Sequence, residues 1–411
     1  MAQPAPDAAA VARKALDQLL AGQYQDLFQT FSPEVQKAIP EATLPKVGVQ
    51  IKTWGAVERI GDPTVRPGPN KVAVIQVKFA TQTIDFQFAI NTSGQVAGLF
   101  MRPAGQIPWQ RPAYSKPDAF HAREVTVGDD EWKLPGTLTL PNGGGPFPGI
   151  VLVQGSGPND RDETVGGSKV FRDLAEGLSS RGIAVLRYEK RTREYPTRMA
   201  GNKDLTVEEE TVEDAVRAAA LLRAQSEVDP KRIYVLGHSL GGYVSPRIAE
   251  QDGKLAGLVV MAGNARPLED LIVDQAEYLG ESGPNLQNIR AMAARVKKLE
   301  PEDSDAPPLM GMPVSYLLDL KGYDPAAQAK DLKIRMLILQ GERDFQVNMK
   351  DLALWKAALG DRKDVTFHTY PALNHLFIAG EGRSTEAEYA KPGHVAPEVI
   401  DDIAKWLTET R

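Results

Sequence analysis

The feature that most constrains the fold is a train of short apolar runs in the C-terminal two thirds of the chain. Residues 149–154, 184–188, 233–236, 257–261, 334–340 and 365–370 are rich in Val, Ile and Leu and show little polar alternation. Strands of that kind are buried on both faces, as in a parallel sheet. Helical patterns near 168–181, 206–225, 240–251, 349–359 and 396–409 lie between or after them, and Thr206-Val-Glu-Glu209 has the form of a capping box. Two further runs, 124–127 and 134–140, read as a hairpin leading in. The expected fold class is therefore α/β: a doubly wound, mostly parallel sheet whose ligands sit beyond the C-terminal ends of the strands. The stretch 264–331 interrupts the alternation, with helical pieces near 267–280, 286–299 and 313–319. An insertion that long over a sheet reads as a cap above a site.

Residues 104–123 separate this region from what precedes it. Pro108, Pro112 and Pro117 fall there, with Pro103 just before, and they suggest a partly extended linker. Residues 1–103 form a small α+β unit. An apolar stripe of Leu16, Leu19, Leu20, Tyr24, Leu27 and Phe28 predicts a helix over 7–31, and 33–39 reads as a second, short one. Strand-like runs follow at 47–60, 71–79, 84–90 and 96–101, giving a curled antiparallel sheet. The expected domains are 1–103, a linker over 104–123, and a catalytic region over 124–411 with its cap at 264–331.

Composition excludes several functions. The 411 residues carry a formal net charge of -6, which gives no electrostatic grip on nucleic acid. No apolar run approaches the ~20 residues of a membrane helix. There is no cysteine, so disulfides, thiolate metal sites and a cysteine nucleophile are ruled out. Met1-Ala2-Gln3-Pro4-Ala5-Pro6 has neither the basic nor the apolar segment of a signal peptide. It reads as the start of a mature secreted or periplasmic chain after a lone Met, with an ordinary cytoplasmic terminus as the alternative.

The chemistry centres on Gly237-His238-Ser239-Leu240-Gly241, at the end of the strand 233–236 and the start of the helix at 240. Gly-x-Ser-x-Gly in that context is a nucleophile elbow: a strained turn, passable only with small flanking residues, that lifts the Ser239 hydroxyl above the sheet. The N–H of Leu240 then lies at a helix N-terminus, where it can bind an oxyanion. A serine needs a base. Of the five histidines, His238 lies inside the turn and points away from where a base must sit. His121 precedes the sheet, and His368 sits within a strand. His375, just past the last strand, is the expected base, with His394 before the final helix as the alternative. Asp344, in the loop after the strand 334–340, is the expected acid, and Glu342 competes for that role. The order Ser239…Asp344…His375 suits this fold.

The second oxyanion donor should come from the loop after the first long strand, Gln154-Gly155-Ser156-Gly157. The N–H of Ser156, or else of Gly155, is assigned there. Neither a phosphate-loop nor a dinucleotide fingerprint is present, and no His/Asp spacing suggests a metal, so no cofactor and no metal are expected. Asp160, Arg161, Asp162, Lys190 and Arg191 read as an ion-pair lattice beneath the site rather than as substrate contacts.

Several segments resemble bacterial α/β-hydrolase esterases of the EstD-like carboxylesterase kind: 134–141, 155–163, 186–192, 237–242, 265–268, 340–347 and 373–377. The resemblance spans about 118–411 and implies a serine esterase acting on short acyl esters through the triad above. The first ~110 residues resemble the small cone-shaped nuclear-transport-factor or cystatin-like domain found ahead of such hydrolases. Gln154 stands where many relatives of the wider fold have His, and it can still hydrogen-bond and orient the loop. The same triad could serve a peptidase or amidase, a thioesterase or an acyltransferase, and a non-catalytic binding protein is the third reading. The expected partner is a small-molecule ester. The small domain could bind substrate, form a homodimer or cover the site.

Overall fold

The computed structural model describes residues 7–409 except 69, 105–108, 129–130 and 201. The terminal segment 1–6 and Pro108, both read from sequence above, lie outside the described residues. The chain divides into two compact units, Met1–Ile107 and Pro108–Arg411.

In the first unit, helix α1 (Ala8–Leu20) is capped by Asp7, whose carboxylate accepts the Ala9 N–H at 3.0 Å. It buries Ala12, Ala15, Leu16 and Leu19, one face at 3.6-residue spacing. The long helix expected over 7–31 is broken at Gly22, which has φ +74°, and resumes as α2 (Tyr24–Gln29). Helix α3 (Pro33–Ala38) follows, as expected. The run 47–60 is not a single strand: its first part is helix α4 (Leu44–Lys52) and its end is strand β1 (Val57–Ile60). The Val47-x-Val49-x-Ile51 alternation misleads, because burial there follows Leu44, Gly48 and Ile51, a helical period, and leaves Val49 exposed. Strands β2 (Thr64–Arg66), β3 (Lys71–Phe79), β4 (Thr83–Ile90) and β5 (Val96–Pro103) complete an antiparallel sheet with β3 bonded to β1, β2 and β4. Phe79, Phe86 and Phe88 fill its core, and Trp54 meets Phe79 edge-on at 5.3 Å.

The second unit is built on an eight-stranded sheet. Its strands are β6 (Phe120–Val127), β7 (Leu134–Pro141), β8 (Phe147–Val153), β9 (Ala184–Tyr188), β10 (Val228–His238), β11 (Gly257–Met261), β12 (Arg335–Gly341) and β13 (Val365–Tyr370). The spatial order is β13-β12-β11-β10-β8-β9-β7-β6. All neighbours from β13 to β9 are parallel, and β7 and β6 join antiparallel at one edge. Strand β8 shows why its sequence lacks alternation. Ile150 and Leu152 face one core, with α5 (Val170–Ser179) and α13 (Pro397–Thr408). Val151 and Val153 face the other, with α6 (Glu213–Arg223), α7 (Leu240–Asp252) and α12 (Met349–Leu359). The capping box closes both ways, Thr206 N–H to Glu209 and Glu209 N–H to Thr206.

Between β11 and β12 lie α8 (Leu268–Tyr278), α9 (Gly283–Val296), α10 (Val314–Leu320) and α11 (Pro325–Asp331). Val296, Leu299, Leu309, Val314 and Leu317 form a small core of that segment's own. No helix among the described residues is long and apolar enough to cross a membrane.

The stretch expected as linker is more structured than its prolines suggest. Strand β6 begins at Phe120, inside it. The Trp109 indole donates to buried Asp173 of α5 at 2.8 Å, while Arg111 and Ser115 both bond Glu176 at 2.6 Å. His394 joins the same carboxylate, its Nδ1 3.1 Å from Asp173, and the Val395 N–H reaches it at 3.0 Å. The Asp173 bond raises the His394 pKa above its ordinary value against the pull of desolvation. A raised folded pKa means a stabilising contribution that is complete below about pH 6.5 and lost as pH rises through the folded value. His394→Ala should therefore lower stability by about 1 kcal/mol or less at pH 6, because the ring is partly exposed, and by less at pH 9. Thermal unfolding at the two pH values checks this, and an equal loss at both would contradict it.

Candidate functional site

Strand β10 runs buried to His238, and the next residue, Ser239, has φ +54° and ψ -117° before α7 begins at Leu240. A non-glycine residue in that region costs of order 1–3 kcal/mol and persists only where its surroundings leave no alternative. Here the surroundings are backbone. A Cβ on Gly237 would lie 2.1 Å from the Gly241 carbonyl oxygen, and one on Gly241 would lie 2.2 Å from that of Val153. The Ser239 N–H is tied to Met261 O on β11 at 3.0 Å. The turn is thus clamped between three strands and a helix start, with the Ser239 side chain facing the cavity beyond the strand ends.

His375 lies five residues past β13. Its Nδ1 is 2.7 Å from Asp344 Oδ2, and both side chains are buried. Asp344 follows β12, and its other oxygen accepts the N–H groups of Gln346 and Val347 at 2.8 and 3.0 Å. The Gln340 amide also reaches Oδ2 at 3.3 Å. The carboxylate is thereby fixed so that one oxygen faces the imidazole. The competing residues are elsewhere. Glu342 is exposed, and its neighbour Arg343 pairs with Glu388 at 2.5 Å. His394 is held on α5, His368 binds Asp402 at 2.9 Å, and His121 binds Asn142 at 2.8 Å.

The loop after β8 is held on every side. The Gln154 amide donates to the Tyr188 carbonyl, which gives this residue the orienting role expected of it. The fully buried Lys190 donates to Gly155 O at 2.8 Å, and the Asn159 amide reaches Gly155 O and Ser156 O at 3.1 and 2.9 Å. The Gly155 N–H donates to Glu163 at 2.7 Å. That commitment removes Gly155 from the oxyanion donors expected from the sequence. The N–H groups of Ser156 and Leu240 make no hydrogen bond among the described residues.

His238 departs from expectation in a different way. It is not aimed away from the site: its ring lies 4.8 Å from that of His375, and both line the cavity. Its Nε2 is 2.9 Å from the His375 carbonyl oxygen and its Nδ1 is 3.0 Å from Glu163 Oε2. The Glu163 contact is off hydrogen-bond alignment, so it is an ion pair rather than a directed bond. Burial alone would lower the His238 pKa. The facing Glu163 carboxylate, the His375 carbonyl and Asp344 outweigh it, and the net direction is up. A sequence offers no sign of this partnership, because Glu163 and His238 are 75 residues apart and no motif links the two.

The cavity has a volume of about 190 Å³, with Ser239, His375, Ser156, Leu376, Gln346 and Tyr389 on its walls. Tyr389 ends a stack of near-parallel rings: Tyr278 of α8 on Phe345 at 5.1 Å, and Phe345 on Tyr389 at 6.0 Å. The Gln346 amide donates to the Tyr389 hydroxyl at 2.9 Å. Burial raises the Tyr389 pKa, so this phenol stays neutral. Two larger clefts, of about 480 and 490 Å³, are lined by arginine–carboxylate pairs and share no residue with this cavity. The five residues expected as one ion-pair lattice do not pair with one another: Arg161 bridges Glu124 and Glu189, Lys169 and Arg187 meet Asp162, Arg191 grips buried Asp214, Asp160 accepts from Thr164, and Lys190 turns to Gly155 O and Glu210. Among the described residues, no group of three or more His, Cys, Asp or Glu could hold a metal ion.

Residues 178–394 match the family described as the prolyl oligopeptidase family, and residues 12–99 match DUF3887, described as a protein of unknown function. The chain is 44% identical over 339 residues to Esterase EstD of Thermotoga maritima, covering 81% of this chain and 78% of that protein. It is 26% identical over 185 residues to the uncharacterized peptidase YtmA of Bacillus subtilis, covering 44% of this chain and 62% of the relative. Among solved structures, Est1E from Butyrivibrio proteoclasticus aligns with a TM-score of 0.47 at 16% identity, over 70% of this chain and 99% of that one. With an α/β-hydrolase sheet behind a small antiparallel domain, the chain belongs to the prolyl oligopeptidase family.

Proposed function

We propose that the protein is a serine carboxylesterase that cleaves short-chain acyl esters, with Ser239 as nucleophile, His375 as base and Asp344 as the acid that orients it. The observation that carries this is the 2.7 Å His375–Asp344 bond opening onto the cavity that Ser239 faces. The 44% identity to an esterase supports carboxylic ester hydrolysis as the activity.

The chemistry follows from the placement. Asp344 accepts from Nδ1–H, so His375 presents an unprotonated Nε2 to the cavity. As Ser239 Oγ bonds to the ester carbonyl carbon, its proton passes to Nε2 and the carbonyl π pair moves onto oxygen. The unengaged N–H groups of Ser156 and Leu240, the latter at the positive end of a 13-residue helix, stabilise that oxyanion. Collapse breaks the bond to the alcohol oxygen, which leaves with the proton from His375. Water then attacks the acyl-enzyme by the same route in reverse and restores the serine.

The cavity limits the acyl group. Its volume corresponds to roughly six waters at ~30 Å³ each, and the Tyr389 ring closes one side. That favours acetate to butyrate over long chains. The family match and the peptidase-named relative keep amide hydrolysis as a second reading, which the same serine could perform.

Ser239→Ala should reduce kcat/KM for p-nitrophenyl acetate and butyrate by roughly 10⁴-fold or more, and Asp344→Asn by a comparable factor. Full activity in Ser239→Ala would overturn the assignment. Across a C2–C12 ester series, kcat/KM should peak at C2–C4, and Tyr389→Ala should shift the peak to longer chains. A flat series in both proteins would contradict the pocket reading. A matched series of amides, cleaved faster than the esters, would favour the second reading.

A further inference from the structure

We propose that Glu163 is the positioning residue of the oxyanion loop, acting through its pairing with Gly155 and His238. This rests on the reading of Ser156 as an oxyanion donor and deepens it.

A single carboxylate here joins three loops that meet at the site. Glu163 Oε1 accepts the Gly155 N–H at 2.7 Å, in the residue before the proposed donor. Glu163 Oε2 lies 3.0 Å from His238 Nδ1, in the residue before the proposed nucleophile. The far nitrogen of the same ring lies 2.9 Å from the carbonyl oxygen of His375, the proposed base. A carbonyl can only accept, so His238 Nε2 carries a proton. The Glu163 carboxylate facing Nδ1 favours a second proton there, and the His238 pKa is accordingly raised despite burial. Both side chains are about 3% exposed, so the pair works without water screening.

Two further observations show that the arrangement is held against resistance. Glu163 itself adopts φ +48°, a conformation that costs a non-glycine residue energy and survives only when contacts impose it. On the next peptide group, the one that carries the Ser156 N–H, Lys190 donates to Gly155 O at 2.8 Å and faces Glu210 at 3.5 Å. The donor and the acceptor of Gly155 are thus each gripped by a buried charge of opposite sign. The peptide planes on both sides of the Gly155 Cα are thus held, and the Ser156 N–H, which shares its plane with the gripped Gly155 carbonyl, is left unengaged and fixed in direction. Oxyanion stabilisation depends on donors that need no reorganisation during the reaction, and this clamp supplies that rigidity.

The charged and titratable groups facing His238 are Glu163, His375 and Asp344, and Glu163 is the one in direct ionic contact. With its pKa raised in the folded protein, His238 keeps its charge to higher pH than an ordinary imidazole and loses it as pH rises through that raised value. Deprotonation leaves Glu163 unpaired and loosens the clamp, which predicts an alkaline fall in kcat.

The test compares Glu163→Gln and Glu163→Ala with the wild type in the full chain, with kcat normalised to the fraction labelled at endpoint by a fluorophosphonate, and uses Ser239→Ala, which lacks the labelled hydroxyl, as a control at equal protein concentration. Normalisation removes any loss due to misfolded protein. Glu163→Ala is expected to lower normalised kcat for p-nitrophenyl acetate by about 10²-fold with KM within a few-fold, the loss typical of a disabled oxyanion donor. Glu163→Gln, which keeps an acceptor for the Gly155 N–H without the charge, should fall less, and its kcat should lack the alkaline fall of the wild type. Wild-type kcat and an unchanged pH profile in both Glu163 variants would overturn the proposal, while Ser239→Ala remains inactive. Activity in Ser239→Ala would instead overturn the reading of the site itself.

Discussion

The left-handed turn at Ser239 is the constraint on which the catalytic unit depends. A residue at φ +54° between the central strand and its following helix is stable only if the flanking backbone comes closer than any side chain permits. Gly237 and Gly241 allow that approach, and β8 and β11 on either side supply it. The turn therefore fixes the spacing of three strands at their C-terminal ends. The loops carrying Ser156, Asp344 and His375 leave from strands of that same sheet, so their positions relative to Ser239 are set by strand register rather than by the loops' own preferences.

This division explains what could be read from the sequence. Strands buried on both faces must be apolar throughout, and the runs at 184–188, 257–261 and 365–370 match β9, β11 and β13 at both ends. The strained turn demands glycine on both sides, so it too leaves a written mark. His375 and Asp344 were legible because position after a strand end is a property of chain order. The misreadings have a common origin. Val47–Val49–Ile51 alternates like a strand, yet tertiary burial selects Leu44, Gly48 and Ile51 and makes a helix. The prolines around 103–117 suggested a partly extended linker, and Trp109, Arg111 and Ser115 in it are bound to carboxylates of α5 some sixty residues away. Pairing at that separation has no periodic signature.

The same limit hid the surroundings of the site. His238, inside the turn, was expected to point away from where a base must sit, but its ring lies 4.8 Å from that of His375 and both line one cavity. Leu309 and Leu317 of the inserted segment 264–331 pack into that segment's own small core. The wall beside Ser239 comes from Tyr389 and Gln346, with Tyr278 of the cap reaching it only through Phe345.

Stacking of that kind has a consequence for selectivity. Three near-parallel rings fill space rigidly, with two rotatable bonds each, and the Gln346–Tyr389 bond anchors the last of them. Gln346 also donates its backbone N–H to Asp344. The proposed acyl wall, Tyr389, and the proposed acid, Asp344, therefore hang from one residue, Gln346, and movement of either is transmitted to the other. An acyl chain too long for the cavity must displace Tyr389 against this linkage, so its penalty falls on the alignment of Asp344 as well as on binding. Exclusion of long chains would then be expressed in kcat together with KM, which a pocket wall independent of the triad would not produce.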